Sequence, residues 1–309
     1  GIRDSSVTGV QTCAFRSLED HLFLIDVETG GQENFVASYV LKGKETAILE
    51  TGPTSSVPNL LLGLEKLNVN LEDVTYIALS HIHLDHGGGV GTLVRCLPNA
   101  KVVVHRNGAP HLVNPNKLWF QAREILGVEI ADLYGTPERV PSDRIIAATD
   151  GMILDMGNGV TLQVIETVGH ASHHQSYLES SGGVFPGDAA GIYLRELNVV
   201  VPTTPPPFRL KNALLSLDKL ISLEPRTLYY SHFGPSANPV KRLEDYADQL
   251  RLWDRIAVEG FELKQDLEAI RQRILQTDPS LKKALPLIKS HPILRVTVLN
   301  NSVRGFLES

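Results

Sequence analysis

Cysteine is scarce in this sequence, with two in 309 residues. Cys13 and Cys96 cannot build a disulfide framework, and neither sits at a metal-ligand spacing. The expected setting is therefore reducing and cytoplasmic. Basic charge is not in excess either. Lys and Arg number 29 against 35 Asp and Glu, leaving a formal charge of −6 and a pI near 6. That balance leaves no electrostatic footprint for nucleic acid or an anionic membrane. No apolar run approaches the length that crosses a bilayer, and no signal-peptide layout is present at the N-terminus. What remains is an ordinary globular composition, 42% apolar and 21% charged, long enough to bury a large core and carry an appendage. The partner these absences point to is a small molecule, with homo-oligomerisation left open.

Histidine is where the sequence is unusual. Three of its 11 histidines fall in Ser80-His81-Ile82-His83-Leu84-Asp85-His86-Gly87-Gly88-Gly89, straight after the apolar run Tyr76-Ile77-Ala78-Leu79. That run reads as a buried strand, and the glycines allow a tight turn into a helix. Side chains alternate along an extended segment, so His81 and His83 point the same way. Asp85 and His86 lie on the turn and face a second point nearby. Neutral imidazoles with a carboxylate suit zinc, iron or manganese. A solvent-exposed polar turn is the competing interpretation, and motif specificity weighs against it.

Read in order, the chain alternates strands and helices, as in sheets with helices outside them. Strands are expected at 22–27, 34–41, 46–50, 74–79, 101–104, 144–147, 153–154, 160–165, 175–178 and 226–230. Helices are expected at about 55–67, 89–96 and 210–223. Residues 107–141 read as a helical excursion with Trp119, Phe120 and Tyr134, either a lid or ordinary packing. Three further strand ends finish in a ligand type: His170 in Gly169-His170-Ala171-Ser172-His173-His174, Asp188 after Gly187, and His232 after Ser231. Ligands on loops at one sheet edge are what a preorganised site requires. Val201 to Phe208, rich in proline, is expected to be extended and either to wall the site or to connect. From Pro239 the chain turns helical, and Leu243, Tyr246, Leu250, Trp253 and Ile256 form one apolar stripe. Gly1 to about Arg16 lacks periodicity. Its Ser5–Ala14 string resembles translated sequencing adapter, so residues 1–16 are expected to be non-native or disordered.

Taken together, Ile48-Leu49-Glu50-Thr51-Gly52, the H-x-H-x-D-H run, Gly169-His170, Gly187-Asp188 and Ser231-His232 resemble the metallo-β-lactamase superfamily of metal-dependent hydrolases. Local combinations place the chain near its glyoxalase II-like and lactonase-like branches. The resemblance covers residues 18–238 and implies an α/β (α+β) fold, a four-layer sandwich of two mixed sheets with helices outside. The expected division is a core at 17–238 and a C-terminal helical extension at 239–309. Carried over by position, His81, His83 and His170 match the ligands of a first metal. Asp85, His86 and His232 match those of a second, and Asp188 bridges both. The cofactors implied are two divalent ions, zinc first, with iron or manganese also fitting. The implied chemistry is attack of hydroxide held between the metals on a small ester, thioester or lactone, Asp85 also orienting or deprotonating the water.

Glu50 stands where many members have Asp and is expected to support a ligand histidine or the loops rather than to bind metal, as is His174. Lactonase branches carry a tyrosine three residues after the bridging aspartate. Here that position is Gly191, and Tyr193 is the nearest candidate to reach a substrate oxyanion. His173 either narrows the pocket or lies at the surface, while His21, His105, His111 and His291 are expected to be structural or exposed. The alternatives on this scaffold are a mononuclear iron oxidoreductase like the persulfide dioxygenases, and a phosphodiesterase.

Overall fold

The computed structural model describes residues 15–308. Residues 1–14 of the segment expected to be non-native lie outside the described residues. Phe15 and Arg16, the last two residues of that segment, open the strand Phe15–Glu19, paired antiparallel with Ile25 and Leu24.

Seven strands form the first sheet in chain order: Phe15–Glu19, Leu22–Asp26, Ala37–Lys42, Thr46–Leu49, Val74–Ala78, Lys101–His105 and Ile145–Ala148. Pairing is antiparallel through the first four and parallel through the last four. Six strands form the second sheet, in the order Gly234–Ser236, Thr227–Tyr230, Gly183–Phe185, Gln175–Glu179, Thr161–Glu166 and Ile153–Asp155.

The central strands read as near-continuous apolar runs because both their faces are covered. Val103 points into a core between the sheets with Tyr39, Leu49, Tyr177, Phe185 and Tyr229. Val102 and Val104 point the other way, into a core that also holds Leu60 and Leu93 of the helices Val57–Lys66 and Val90–Cys96. The second sheet is covered likewise by Leu210–Ser222 and Pro239–Glu262, with Leu217 and Trp253 buried in the same outer core. Helices on the outside of two face-packed sheets make the four-layer sandwich.

Two contacts between the sheets prepare the site. The Tyr39 hydroxyl donates to the Tyr230 carbonyl at 2.6 Å. Tyr177 and Gln175 of the second sheet both donate to the Leu79 carbonyl, at 2.8 and 3.0 Å, and the Gln175 N–H donates to the Ser80 carbonyl at 2.8 Å. The backbone entering the histidine run is thereby held by the opposite sheet.

Beyond the sandwich, the apolar stripe of Pro239–Glu262 is buried as its spacing demands. Asp278 anchors the helices that follow. Its Oδ1 caps Pro279–Ser290 through the N–H groups of Ser280 and Leu281, and its Oδ2 accepts from Trp253 Nε1 and Gln249 Nε2, both at 2.7 Å. A last stretch, Leu294–Leu307, contains a π-helical turn at Thr297–Asn301. Among the described residues, no helix is long and apolar enough to cross a membrane.

Candidate metal centre

The strand Val74–Ala78 ends just before His81, and the chain stays extended to His83 (φ −57°, ψ 152°) before the short helix Leu84–Gly87 begins. His81 and His83 therefore share one direction, and Asp85 and His86 sit on the helical turn facing another. The other three ligand candidates come from the second sheet: His170 from the loop after Thr161–Glu166, Asp188 from the turn after Gly183–Phe185, and His232 from the end of Thr227–Tyr230. Every one of the seven side chains is brought to the same edge of the sandwich.

Their ligand atoms fall into overlapping groups: His81, His83 and His170; His81, His86 and Asp188; Asp85, His86 and His232. His81 Nε2 and His170 Nε2 each lie 3.0 Å from His83 Nδ1. His86 Nε2 and His232 Nε2 are 3.2 Å apart, and His232 Nε2 is 3.5 Å from Asp85 Oδ2. Asp188 spans the groups, with Oδ2 at 3.5 Å from His170 Nε2 and Oδ1 at 3.3 Å from His86 Nε2.

Protonation follows from the outer contacts. His170 Nδ1 lies 2.7 Å from the Thr203 carbonyl, and His232 Nδ1 lies 2.7 Å from the Phe35 carbonyl. A carbonyl only accepts, so both Nδ1 atoms carry the proton and both Nε2 atoms present a bare lone pair to the cluster. Burial lowers the pKa of His81 and of His83 well below the ordinary value, with neighbouring imidazoles adding to the effect, and lowers that of His170 as well. Burial disfavours the charge on Asp85, but His86 and His232 outweigh it and bring its pKa down to about 2. The same contest leaves Asp188 well below the carboxylate range and His86 well above the imidazole range.

Lone pairs and carboxylates packed this closely repel unless cations lie between them. Ligand bonds of about 2.0–2.1 Å at tetrahedral angles put donor atoms roughly 3.3 Å apart, which is the spacing found here. Asp188 Oδ1 is buried with only His86 Nε2, at 3.3 Å, within hydrogen-bonding distance of it, which leaves its other lone pair free for a ligand bond. The donor set fits a pair of divalent ions.

Glu50 and His174 lie behind this set. Glu50 Oε1 accepts the Ser80 N–H at 3.1 Å, and Oε2 stands 3.5 Å from His86 Nδ1. His174 Nε2 accepts the Asp188 N–H at 3.1 Å, and its Nδ1 lies 2.9 Å from Thr167 Oγ1. The Ser176 hydroxyl is committed to the Pro186 carbonyl, so Thr167 donates to Ser176 and accepts from His174. Gly187, at φ 53°, permits this approach, since a Cβ there would meet His174 Nε2 at 2.7 Å.

Tyr193 stands apart from the cavity over the cluster. Gly191, at φ 78°, turns the chain, and Tyr193 enters the short strand Ile192–Leu194. Its hydroxyl donates to Asn198 Oδ1 at 2.9 Å, and the Arg242 guanidinium lies over its ring. It is absent from the walls of the cavity over the cluster, so this geometry does not bring it to a substrate oxyanion.

That cavity measures about 320 Å³. His83, Asp85, His170 and Asp188 are at its floor, and the helix Asn116–Leu126 from the excursion forms one wall. Pro205, Pro206 and Pro207 form another, so the extended segment does wall the site. His173 and His111 line it too, the latter against the expectation of a merely structural or exposed residue. Sequence reasoning missed Thr297 and Asn301, which reach the cavity from the C-terminal stretch. It also missed the carbonyls of Phe35 and Thr203, which no side-chain pattern announces.

Comparison with known proteins agrees with this architecture. Metallo-beta-lactamase fold-containing protein ST1585 of Sulfurisphaera tokodaii is 30% identical over 246 residues, 77% of this chain and 85% of that protein. Its crystal structure superposes with a TM-score of 0.66 over 89% of this chain and 94% of that one, at 27% identity. The metallo-beta-lactamase family protein TTHA1429 from Thermus thermophilus shares the fold, with a TM-score of 0.63 over 88% of this chain and 87% of that one, at 23% identity. N-acyl homoserine lactonase AttM of Agrobacterium fabrum is 33% identical over 115 residues, 37% of this chain and 39% of that protein. The family model described as the metallo-beta-lactamase superfamily matches residues 31–232, from the turn before the third strand to the last ligand histidine. The chain belongs to the metallo-β-lactamase superfamily, whose members are mostly metal-dependent hydrolases.

Proposed function

We propose that this protein is a dinuclear metal-dependent hydrolase acting on a small ester, thioester or lactone, with zinc the leading metal. The observation that carries the reading is the convergence of two ligand groups on Asp188 at the floor of a cavity. The similarity to AttM over 37% of the chain supports a carbonyl substrate.

His81, His83 and His170 would hold one ion, Asp85, His86 and His232 the other, and Asp188 would be shared. When bound, such a pair supplies a water acidified to near neutrality and polarises a carbonyl oxygen. Everything else falls to the chain. The Thr203 and Phe35 carbonyls keep His170 and His232 in the tautomer that leaves Nε2 free. The Asp85 side chain is the more open of the two carboxylates (21% exposed against 5%), so it is the group placed to orient the attacking water and accept its proton. The helix Asn116–Leu126 and the proline segment wall the cavity on two sides and would limit the water that reaches a carbonyl bound between them.

Metal analysis of freshly purified protein, with hydrolysis of an ester, thioester and lactone panel with and without chelator, tests this. Two equivalents of metal and chelator-sensitive hydrolysis are expected. One equivalent of iron, no hydrolysis and oxygen uptake with a persulfide would move the protein to the oxidoreductase class. Turnover confined to phosphodiesters would also overturn the proposal.

A further inference from the structure

Asp85 and Asp188 put two carboxylates at the floor of the cavity over the cluster, and among the described residues no other acidic side chain lines it. Leu118, Ala122, Ile125 and Leu126 face it from the helix Asn116–Leu126, opposite the three prolines at 205–207. Among the described residues, no lysine or arginine lines it. Two cations on the adjoining surface are paired elsewhere: Arg123 bonds Asp132 and lies 5.3 Å over the Trp119 ring, and Arg106 reaches Glu166 at 3.2 Å. The polar groups that remain include Asn301 and His173. Asn301 donates to the Ile125 carbonyl at 3.1 Å, pinning the end of the lid helix. His173 turns its ring edge-to-face on His83 with centroids 5.5 Å apart, and its Nδ1 is buried with no partner.

We infer that the cavity selects an uncharged acyl ester or lactone, with an apolar chain between the lid helix and the proline segment and a neutral polar group at His173. It rejects substrates that carry a carboxylate or phosphate away from the scissile bond. The inference rests on the hydrolase reading above and narrows it. A remote anion would be stripped of water with no counter-charge to receive it, and such burial is strongly unfavourable. An apolar chain gains instead, by about fourfold in affinity for each methylene fully buried. Glutathione thioesters, with two carboxylates remote from the reacting carbonyl, fall in the rejected class.

The test uses zinc-loaded protein and two esters that differ only at the chain end, p-nitrophenyl hexanoate and the mono-p-nitrophenyl ester of adipic acid. The hexanoate is expected to have a kcat/KM about a hundredfold or more higher, given the cost of an unpaired buried anion. From acetate to hexanoate the value should climb with each methylene. Gln121→Arg, which adds a cation on an exposed wall position, should narrow the hexanoate-to-adipate ratio by about tenfold or more. Equal rates for the two esters, or a preference for the anion, would overturn the inference. If neither ester is hydrolysed and the thioester and lactone panel is also inert, the hydrolase reading fails, and calorimetry with the inert amides hexanamide and adipamic acid still decides the question. Binding of hexanamide alone supports the selectivity; equal or tighter binding of adipamic acid refutes it.

Discussion

His173 and His174 are adjacent and face different ways. His174 points inward and holds the Asp188 backbone, while His173 lines the cavity with an unsatisfied nitrogen. His174→Gln breaks the relay from Pro186 through Ser176 and Thr167 to Asp188. Groups that orient ligands typically account for 10–100-fold in metal affinity, and a loss of about that size is expected in competition with a chelating dye. Unchanged affinity would show that the relay does not set the ligand geometry. Tyr193 gives the opposite expectation. Because its hydroxyl bonds Asn198 rather than anything in the cavity, Tyr193→Phe should leave kcat/KM within about twofold and lower stability by about 0.5–1.5 kcal/mol. A large fall in kcat with stability unchanged would return it to the mechanism.

Among the elements, the strands were readable because burial on two faces leaves an apolar signature, and the convergence of the ligand candidates was readable because each follows a strand end. The stripe Leu243 to Ile256 was readable because one helix face carries the packing. The ribbon of Ile192–Leu194 and Val199–Val201 was not, being two three-residue strands joined through a left-handed Asn198. Nor was the π-helical turn at Thr297–Asn301, since such a turn has no side-chain periodicity of its own. Where Tyr193 comes to lie was not readable either, because spacing from Asp188 says nothing of the turn at Gly191. Asp278 shows how the helices beyond the sandwich are tied together. Asp278→Ala removes a helix cap and leaves Trp253 Nε1 and Gln249 Nε2 unpaired in a buried site. Denaturant unfolding should register a loss of about 2–4 kcal/mol, and a loss under about 1 kcal/mol would mean the contacts are made up elsewhere.

The molecule as a whole should answer strongly to acid and to metal removal. In the metal-free protein, burial lowers the pKa values of His81, His83, His170 and His174, and brings that of His173 to about 4. Each such group binds protons more readily when unfolded, so its contribution is full above about pH 6.5 and is lost as pH falls through the folded value. Asp85, lowered to about 2, keeps its contribution above about pH 4 and loses it further down. His86, raised, runs the other way and stabilises below about pH 6.5, fading as pH climbs through its folded value. The lowered histidines outnumber it, so the melting temperature of chelator-treated protein should fall between pH 7 and 5. A rise across that interval would contradict the burial argument. Metal stabilises by mass action, so chelator alone should lower the melting temperature at pH 7.

The C-terminal stretch has a consequence in time as well as in space. Ser302 accepts the Thr204 N–H and donates to the Pro202 carbonyl, Thr204 donates back to the Ser302 carbonyl, and Asn301 pins the lid. Translation delivers all of the ligand residues before it delivers this stretch. As the chain emerges from the ribosome, the ligand set can gather while the last wall of the cavity is still unmade. The wall that Thr297 and Asn301 supply is thus the last part of the cavity to be made, closing over ligand candidates that have already had the chance to gather.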